Sequence, residues 1–183
     1  MATTPSKKNI KRTTLINLQN TNQKLKIDQT PYGAGSGVYT TTSISKDDEL
    51  FIFSENIVPW KQVTHRAIQL GVNRWLEPNK HSYGWFLNHS CNPSAAFKLP
   101  NKIVAYKSLK PNEEITIDYS TVIHMNKFEF ECLCPNTNCR KIVRSFQFLP
   151  QEFQKKFKDL NSLEPISQKV KTKKENKRGV TGI

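Results

Sequence analysis

The chemistry-bearing residues of this chain fall into three short stretches. Asn88-His89-Ser90-Cys91-Asn92-Pro93 is a polar loop motif carrying an amide, an imidazole and a thiol. Glu113-Glu114-Ile115-Thr116-Ile117-Asp118-Tyr119 is a short alternating strand that ends on a phenol. Cys132-x-Cys134-x4-Cys139 supplies three more thiols, and with Cys91 it accounts for all four cysteines. Four thiolates suit a closed, tetrahedral, structural zinc site. Cys132 and Cys134 are too close in sequence for an easy disulfide, which favours metal. The alternative is four reduced, unliganded thiols. His65, His81 and His124 have no ligand spacing and read as surface or core residues.

Around these stretches the elements are short. Leu25 and Ile27 start an alternating run, and Pro31 to Gly37 is a glycine-rich turn. Val38 to Thr42 and Phe51 to Val58 read as strands, with Ile44 to Leu50 a charged turn between them. Ala95 to Leu99 and Ile103 to Lys107 suit a hairpin, and Glu113 to Ile117 is another strand. His65 to Leu76 has weak helical periodicity. Phe153, Phe157 and Leu160 fall at i, i+4 and i+7, the spacing of one short amphipathic helix. Leu15-Ile16 could form a further short strand. Many short strands with few helices predict a mainly β domain.

The order and spacing of the three stretches are similar to those of SET-domain protein lysine methyltransferases with a post-SET zinc cluster. The resemblance covers residues 24 to 145 and implies short strands in small sheets with a pseudoknot, followed by a zinc segment; the short C-terminal helix follows from the Phe153 spacing. Together with the charge runs, this divides the chain into a basic tail (1–22), a SET domain (23–120), a post-SET zinc segment (121–150) and a helix with a basic disordered tail (151–183).

The resemblance also implies roles. Tyr119 stands where the family has its catalytic tyrosine. Gly35-Ser36-Gly37 resembles the turn whose backbone holds the methionine end of S-adenosylmethionine. Asn88 and His89 resemble the pair that contacts this cofactor, and Tyr119, Phe130 and Leu133 complete its surroundings. Trp85 stands where many members have an arginine that touches the cofactor. Asp47 and Asn112 replace family glycines, and both residue types accept a left-handed turn. Phe97 and Ile117 stand where a channel hydroxyl limits the number of methyl groups added; neither carries one, so repeated methylation is expected. The insert at residues 59–83 is expected to form much of the peptide groove. Cys91, Cys132, Cys134 and Cys139 match the zinc ligands. The implied acceptor is a protein lysine, most commonly on a histone tail. The rival readings are a non-catalytic binding module on the same fold and a basic nucleic-acid-binding zinc protein.

Charge placement separates these readings. The net charge of +13 is carried mostly by the ends: residues 1–27 hold six Lys/Arg and no acid, and residues 151–183 hold nine Lys/Arg against four acids. The centre is therefore nearly neutral. Basic ends can track a polyanion such as nucleic acid without sequence preference, or they are simply solvated tails. Lys169–Arg178 offers a nuclear address. No apolar run approaches the ~20 residues that span a bilayer, and Met1 to Arg12 lacks a signal-peptide core. A nuclear or cytoplasmic protein with reduced thiols is expected.

Overall fold

The computed structural model describes residues 24–31, 35–54, 56–124 and 128–158. Among them the strands are, in chain order, β1 (Leu25–Gln29), β2 (Ser36–Thr40), β3 (Glu49–Ile52), β4 (Ile57–Val58), β5 (Ile68–Gly71), β6 (Arg74–Leu76), β7 (Asn88–His89), β8 (Ala95–Lys98), β9 (Lys102–Ala105), β10 (Glu114–Ile117), β11 (Glu129–Glu131) and β12 (Ile142–Arg144). One short helix follows, α1 (Gln151–Lys156). The strands form small sheets in the orders β1-β2-β10-β7, β3-β9-β8, β4-β6-β5 and β11-β12. The expected mainly β architecture of small sheets is what the chain adopts.

Side-chain alternation explains the sheets. In β10, Ile115 and Ile117 enter the main core while Thr116 hydrogen-bonds the neighbouring loop. That core gathers Val38, Leu50, Leu76, Phe97, Ile103 and Ile115, all at most 1% exposed. Their burial is the main driving force for bringing sequence-distant strands together. A second cluster of Ala96, Phe146, Leu149 and Phe157 seats the C-terminal segment on the back of β8. The hairpin expected at 95–107 forms, with Ala95 opposite Ala105 and Lys98 opposite Lys102. Asp47 and Asn112 do adopt left-handed backbone, with φ of 70° and 64°.

Two segments differ from expectation. Phe51 to Val58 is not one strand but β3 and β4, which belong to different sheets. The chain leaves β3 at Phe53, whose N–H donates to the Asn101 carbonyl while its own carbonyl accepts from the Asn101 side chain. Its ring turns into the core. The 65–76 segment is a β-hairpin rather than a helix. Ile68 and Gln69 are both buried, at 2% and 0% exposure, and the register shifts between Gln69 and Gly71. Two adjacent buried residues break the period of 2 and imitate a helical spacing. Gln69 is tolerated inside because its amide donates to the Gly71 carbonyl and accepts the His124 N–H. Phe153 and Phe157 sit on and just after α1, whereas Leu160, Leu15-Ile16 and most of both basic ends (1–23 and 159–183) lie outside the described residues.

Gly84 reports how tightly the region before β7 is packed: a Cβ there would lie 2.3 Å from the Phe53 ring. Gly84→Ala is expected to lower stability by about 1–3 kcal/mol through overpacking, read as a lower midpoint in urea denaturation.

Candidate active site

The loop after β7 wraps around β10. Asn88 and His89 pair in parallel with Thr116 and Ile117. The Ser90 N–H then donates to the Ile117 carbonyl and the Ser94 N–H to the Thr116 carbonyl. From the other side, the Ser94 hydroxyl donates to the Glu114 carbonyl and accepts the Thr116 N–H, both at 2.9 Å. Residues 88–94 and 114–119 are therefore interlaced by main-chain bonds, and neither can shift without the other.

Tyr119 leaves β10 at the centre of this knot. Its backbone N–H donates to His89 Nδ1 at 3.1 Å, and its hydroxyl donates to the Leu87 carbonyl at 2.7 Å. Burial pushes the phenol up to about 12, with the Arg66 cation pulling the other way. The hydroxyl is therefore a proton-bearing group at neutral pH. The rings of His89 and Phe130 lie 5.3 and 6.1 Å from that of Tyr119.

Burial also pulls His89 down to about 4, against the opposing effect of Asp118, so the imidazole is neutral. Its Nδ1 accepts from Tyr119, which leaves the proton on Nε2, 3.4 Å from Cys91 Sγ.

The glycine turn meets the same knot. Gly35 has φ +79°, and a Cβ on Gly37 would lie 2.3 Å from Glu114 Oε1 and 3.1 Å from Asn88 Nδ2. Only glycine permits so close an approach. The Asn88 amide donates to the Ser36 carbonyl and to the Glu114 carboxylate. Gly35, Ser36, Gly37, Asn88, His89 and Tyr119 are thus brought together. Phe130 joins them through an edge-on contact with His89 at 5.7 Å. Leu133 is 75% exposed. Phe97 is fully buried and packs edge-on against Phe53, whose ring lines the Tyr119 crevice while Phe97 stands behind it. Ile117 lines the crevice itself, with Arg66, Gly84, Leu87 and Ile123.

All four cysteines converge, their Sγ atoms lying within 4.8 Å of one another. Cys91 and Cys132 Sγ are 3.8 Å apart. That is about the edge of a tetrahedron with the ~2.3 Å bonds of zinc to sulfur. Burial pushes the Cys91 thiol up to about 11 and the Cys132 thiol further still. A dication would supply the charge that turns both into thiolates. The backbone N–H groups of Arg140 and Lys141 approach Cys91 and Cys139 Sγ at 3.4 Å, as donors to coordinated thiolates do. The donor set fits a structural zinc ion.

Comparison with known proteins agrees with this geometry. Residues 6–120 match the family model of the SET domain. The chain belongs to the SET-domain family. Among curated relatives, human histone-lysine N-methyltransferase SETD1B is 41% identical over 66 residues, 32% of this chain and 3% of the relative. The probable histone-lysine N-methyltransferase lin-59 of Caenorhabditis elegans is 26% identical over 91 residues, 45% of this chain and 7% of the relative. The chain thus spans a small fraction of the length of these relatives. The methyltransferase domain of human SETMAR shares the fold with a TM-score of 0.52 and 20% identity, over 66% of this chain and 58% of that one. KRYPTONITE, solved with DNA and S-adenosylhomocysteine, gives 0.54 and 17%, over 65% and 28%.

Three residues of this chain escaped the reading of its sequence. Asp118 is fully buried and takes a two-pronged ion pair from Arg140, at 2.5 and 2.6 Å. Arg140 also reaches the Ser120 hydroxyl and lies under the rings of Phe153 and Phe157. The pair joins the residue before Tyr119 to the residue after Cys139, and those adjacencies were the available signal. Arg66 comes from the chain just before β5 and had none. Arg140→Ala would strand the Asp118 carboxylate in the interior. A loss of about 3–5 kcal/mol is expected, measurable by chemical denaturation of the zinc-loaded protein.

Proposed function

We propose that this chain transfers methyl groups from S-adenosylmethionine to a lysine side chain of a protein, a histone tail being the favoured acceptor. The observation that carries the reading is the clamped tyrosine. Tyr119 is fixed at its backbone by His89 and at its hydroxyl by Leu87, at the end of a crevice lined by Phe53, Ile117 and Ile123. A side chain entering from the surface groove of Trp60, Thr64, Trp75 and Phe128 shares the walls His65, Ala67 and Ile123 with that crevice. This groove includes residues of the 59–83 insert, as a peptide-binding surface should.

Bound S-adenosylmethionine supplies an electrophilic methyl group on a sulfonium. The protein residues do the rest. Gly35, Ser36 and Gly37 offer close backbone approach, and Asn88 and His89 form the opposite wall. Phe130 covers the ring of His89 and the edge of the site. An amine must arrive neutral, because an ammonium has no lone pair. At its ordinary pKa of about 10.4 that costs about 4.6 kcal/mol at pH 7, and a dry crevice reduces the cost. The Tyr119 oxygen and the Leu87 carbonyl lie where they can orient the nitrogen and the polarised methyl in line. The amine's lone pair forms the C–N bond, the C–S pair returns to sulfur, and the new ammonium later gives its proton to solvent. The zinc would hold the 132–139 segment, and so Phe130, against the loop that carries Cys91.

The name of human SETD1B describes a histone-lysine methyltransferase, and KRYPTONITE has been solved with a histone H3 peptide as well as DNA. These support a histone acceptor here, and with it action in the nucleus. No helix among the described residues is long and apolar enough to cross a membrane. The basic ends would then favour contact with nucleosomal DNA. A non-catalytic module on this fold would have no need of a clamped tyrosine.

Two outcomes are expected. With radiolabelled methyl donor and mixed histones, the zinc-loaded protein labels lysine, and Tyr119→Phe loses about a hundredfold or more in rate while keeping its fold. Mass spectrometry of the product finds di- or trimethyl-lysine, because Ile117 leaves the crevice wall without a hydroxyl; Ile117→Tyr restricts the product to one methyl.

A further inference from the structure

Arg66 lies on the wall of the Tyr119 crevice. Its guanidinium sits 4.9 Å from the centroid of the Trp85 ring, and Nη1 donates to the Trp85 carbonyl. Two residues on, the Leu87 carbonyl accepts the Tyr119 hydroxyl. One short stretch of backbone therefore anchors both the cation and the phenol.

Arginines taken out of water normally find a carboxylate. Among the described residues Arg66 makes no ion pair. Its Nε is buried and has no partner. An aromatic face and a backbone carbonyl stabilise the guanidinium without cancelling its charge. The field consequently extends into the crevice, where it acts on the phenol of Tyr119.

None of the other ionisable groups nearby forms an ion pair with it among the described residues. The buried Glu77 carboxylate accepts from the Thr64 N–H and hydroxyl. His65 shares the crevice wall. The Glu114 carboxylate, on β10, accepts from the Asn88 amide; its charge acts on Tyr119 against Arg66, and more weakly. His89 lies against the Tyr119 ring with Nδ1 occupied, and Asp118 is bound to Arg140. Arg66 is the member of this group that cannot shed its proton at any working pH.

We propose that Arg66 keeps the acceptor amine uncharged as it enters the crevice. The inference rests on reading the crevice as an amine-methylating site. A fixed guanidinium raises the energy of an ammonium beside it and leaves a neutral amine untouched. The displaced proton goes to solvent at the crevice mouth, and the lone pair is then free to attack. Arg66 acts on the reaction through the protonation of the substrate; Tyr119 orients it.

The test reads that protonation directly. A histone-tail peptide with a 15N-labelled lysine amine is titrated by NMR in the presence of saturating zinc-loaded protein, for wild type, Arg66→Lys and Arg66→Met. The bound amine is expected to titrate low in wild type and Arg66→Lys, and about one unit higher in Arg66→Met. The acid limb of kcat/KM for the peptide, at saturating methyl donor, should move by the same amount. That is about a tenfold loss at pH 7, recovered at high pH. An identical amine pKa in wild type and Arg66→Met overturns the inference. So does a rate loss equal at every pH, which would mark a purely structural support, or failure of every lysine peptide to bind. A lowered amine pKa in a protein that transfers no methyl groups would leave this inference standing and end the methyl-transfer reading.

Discussion

A single neutral imidazole joins the two halves of this site. His89 takes the backbone N–H of Tyr119 on one nitrogen and presents the other to Cys91. The phenol and the thiol cluster are therefore fixed to the same ring. Burial keeps that ring neutral. A charged imidazolium could not accept the Tyr119 N–H, and the bond that sets the direction of the tyrosine would be lost. The rest of the structure supports this ring: β10 delivers Tyr119, the 88–94 loop delivers His89 and Cys91, and the 132–139 segment returns to complete the cluster.

The buried Asp118–Arg140 pair runs parallel to that link. By itself such a pair adds little net stability, since desolvating both charges costs about what their attraction returns. What it provides is registry. Asp118 precedes Tyr119 and Arg140 follows Cys139, so a two-pronged bond between them allows only one placement of the C-terminal segment on the knot. Phe153 and Phe157 over the guanidinium extend this registry to α1. A metal-held segment, a buried ion pair and a short aromatic helix thereby stabilise one arrangement from three directions.

The proposed methyl transfer would move a positive charge, so the charges around the crevice matter. The groups that touch it include a protonated phenol, the Leu87 carbonyl, apolar side chains, the His65 imidazole and the Arg66 guanidinium, which has no ion pair among the described residues. Its described walls carry no carboxylate. A carboxylate there would hold an incoming amine as ammonium, the form that cannot react. The absence of acid on the walls and the presence of Arg66 favour the same protonation state.

Much of this was legible in the amino-acid order. The Asn-His loop, the strand ending on Tyr119 and the cysteine spacing are local patterns, set by residue types a few positions apart, and each retains its meaning when read alone. Side-chain alternation located β10 and the β8–β9 hairpin for the same reason. The 65–76 segment was misread because a bulge with two adjacent buried residues has no distinct period, and because its β6 strand also pairs with β4, which lies outside the segment. Packing left Leu133 facing solvent and put Phe97 in the core, which sequence pattern alone could not show. Arg66, Asp118 and Arg140 are ordinary charged residues until folding removes water from around them. Sequence alone determined which groups are available for chemistry. Only the tertiary structure decided which charges are paired and that, among the described residues, the guanidinium beside the phenol has no ion pair, because that depends on burial and on contacts between residues tens of positions apart.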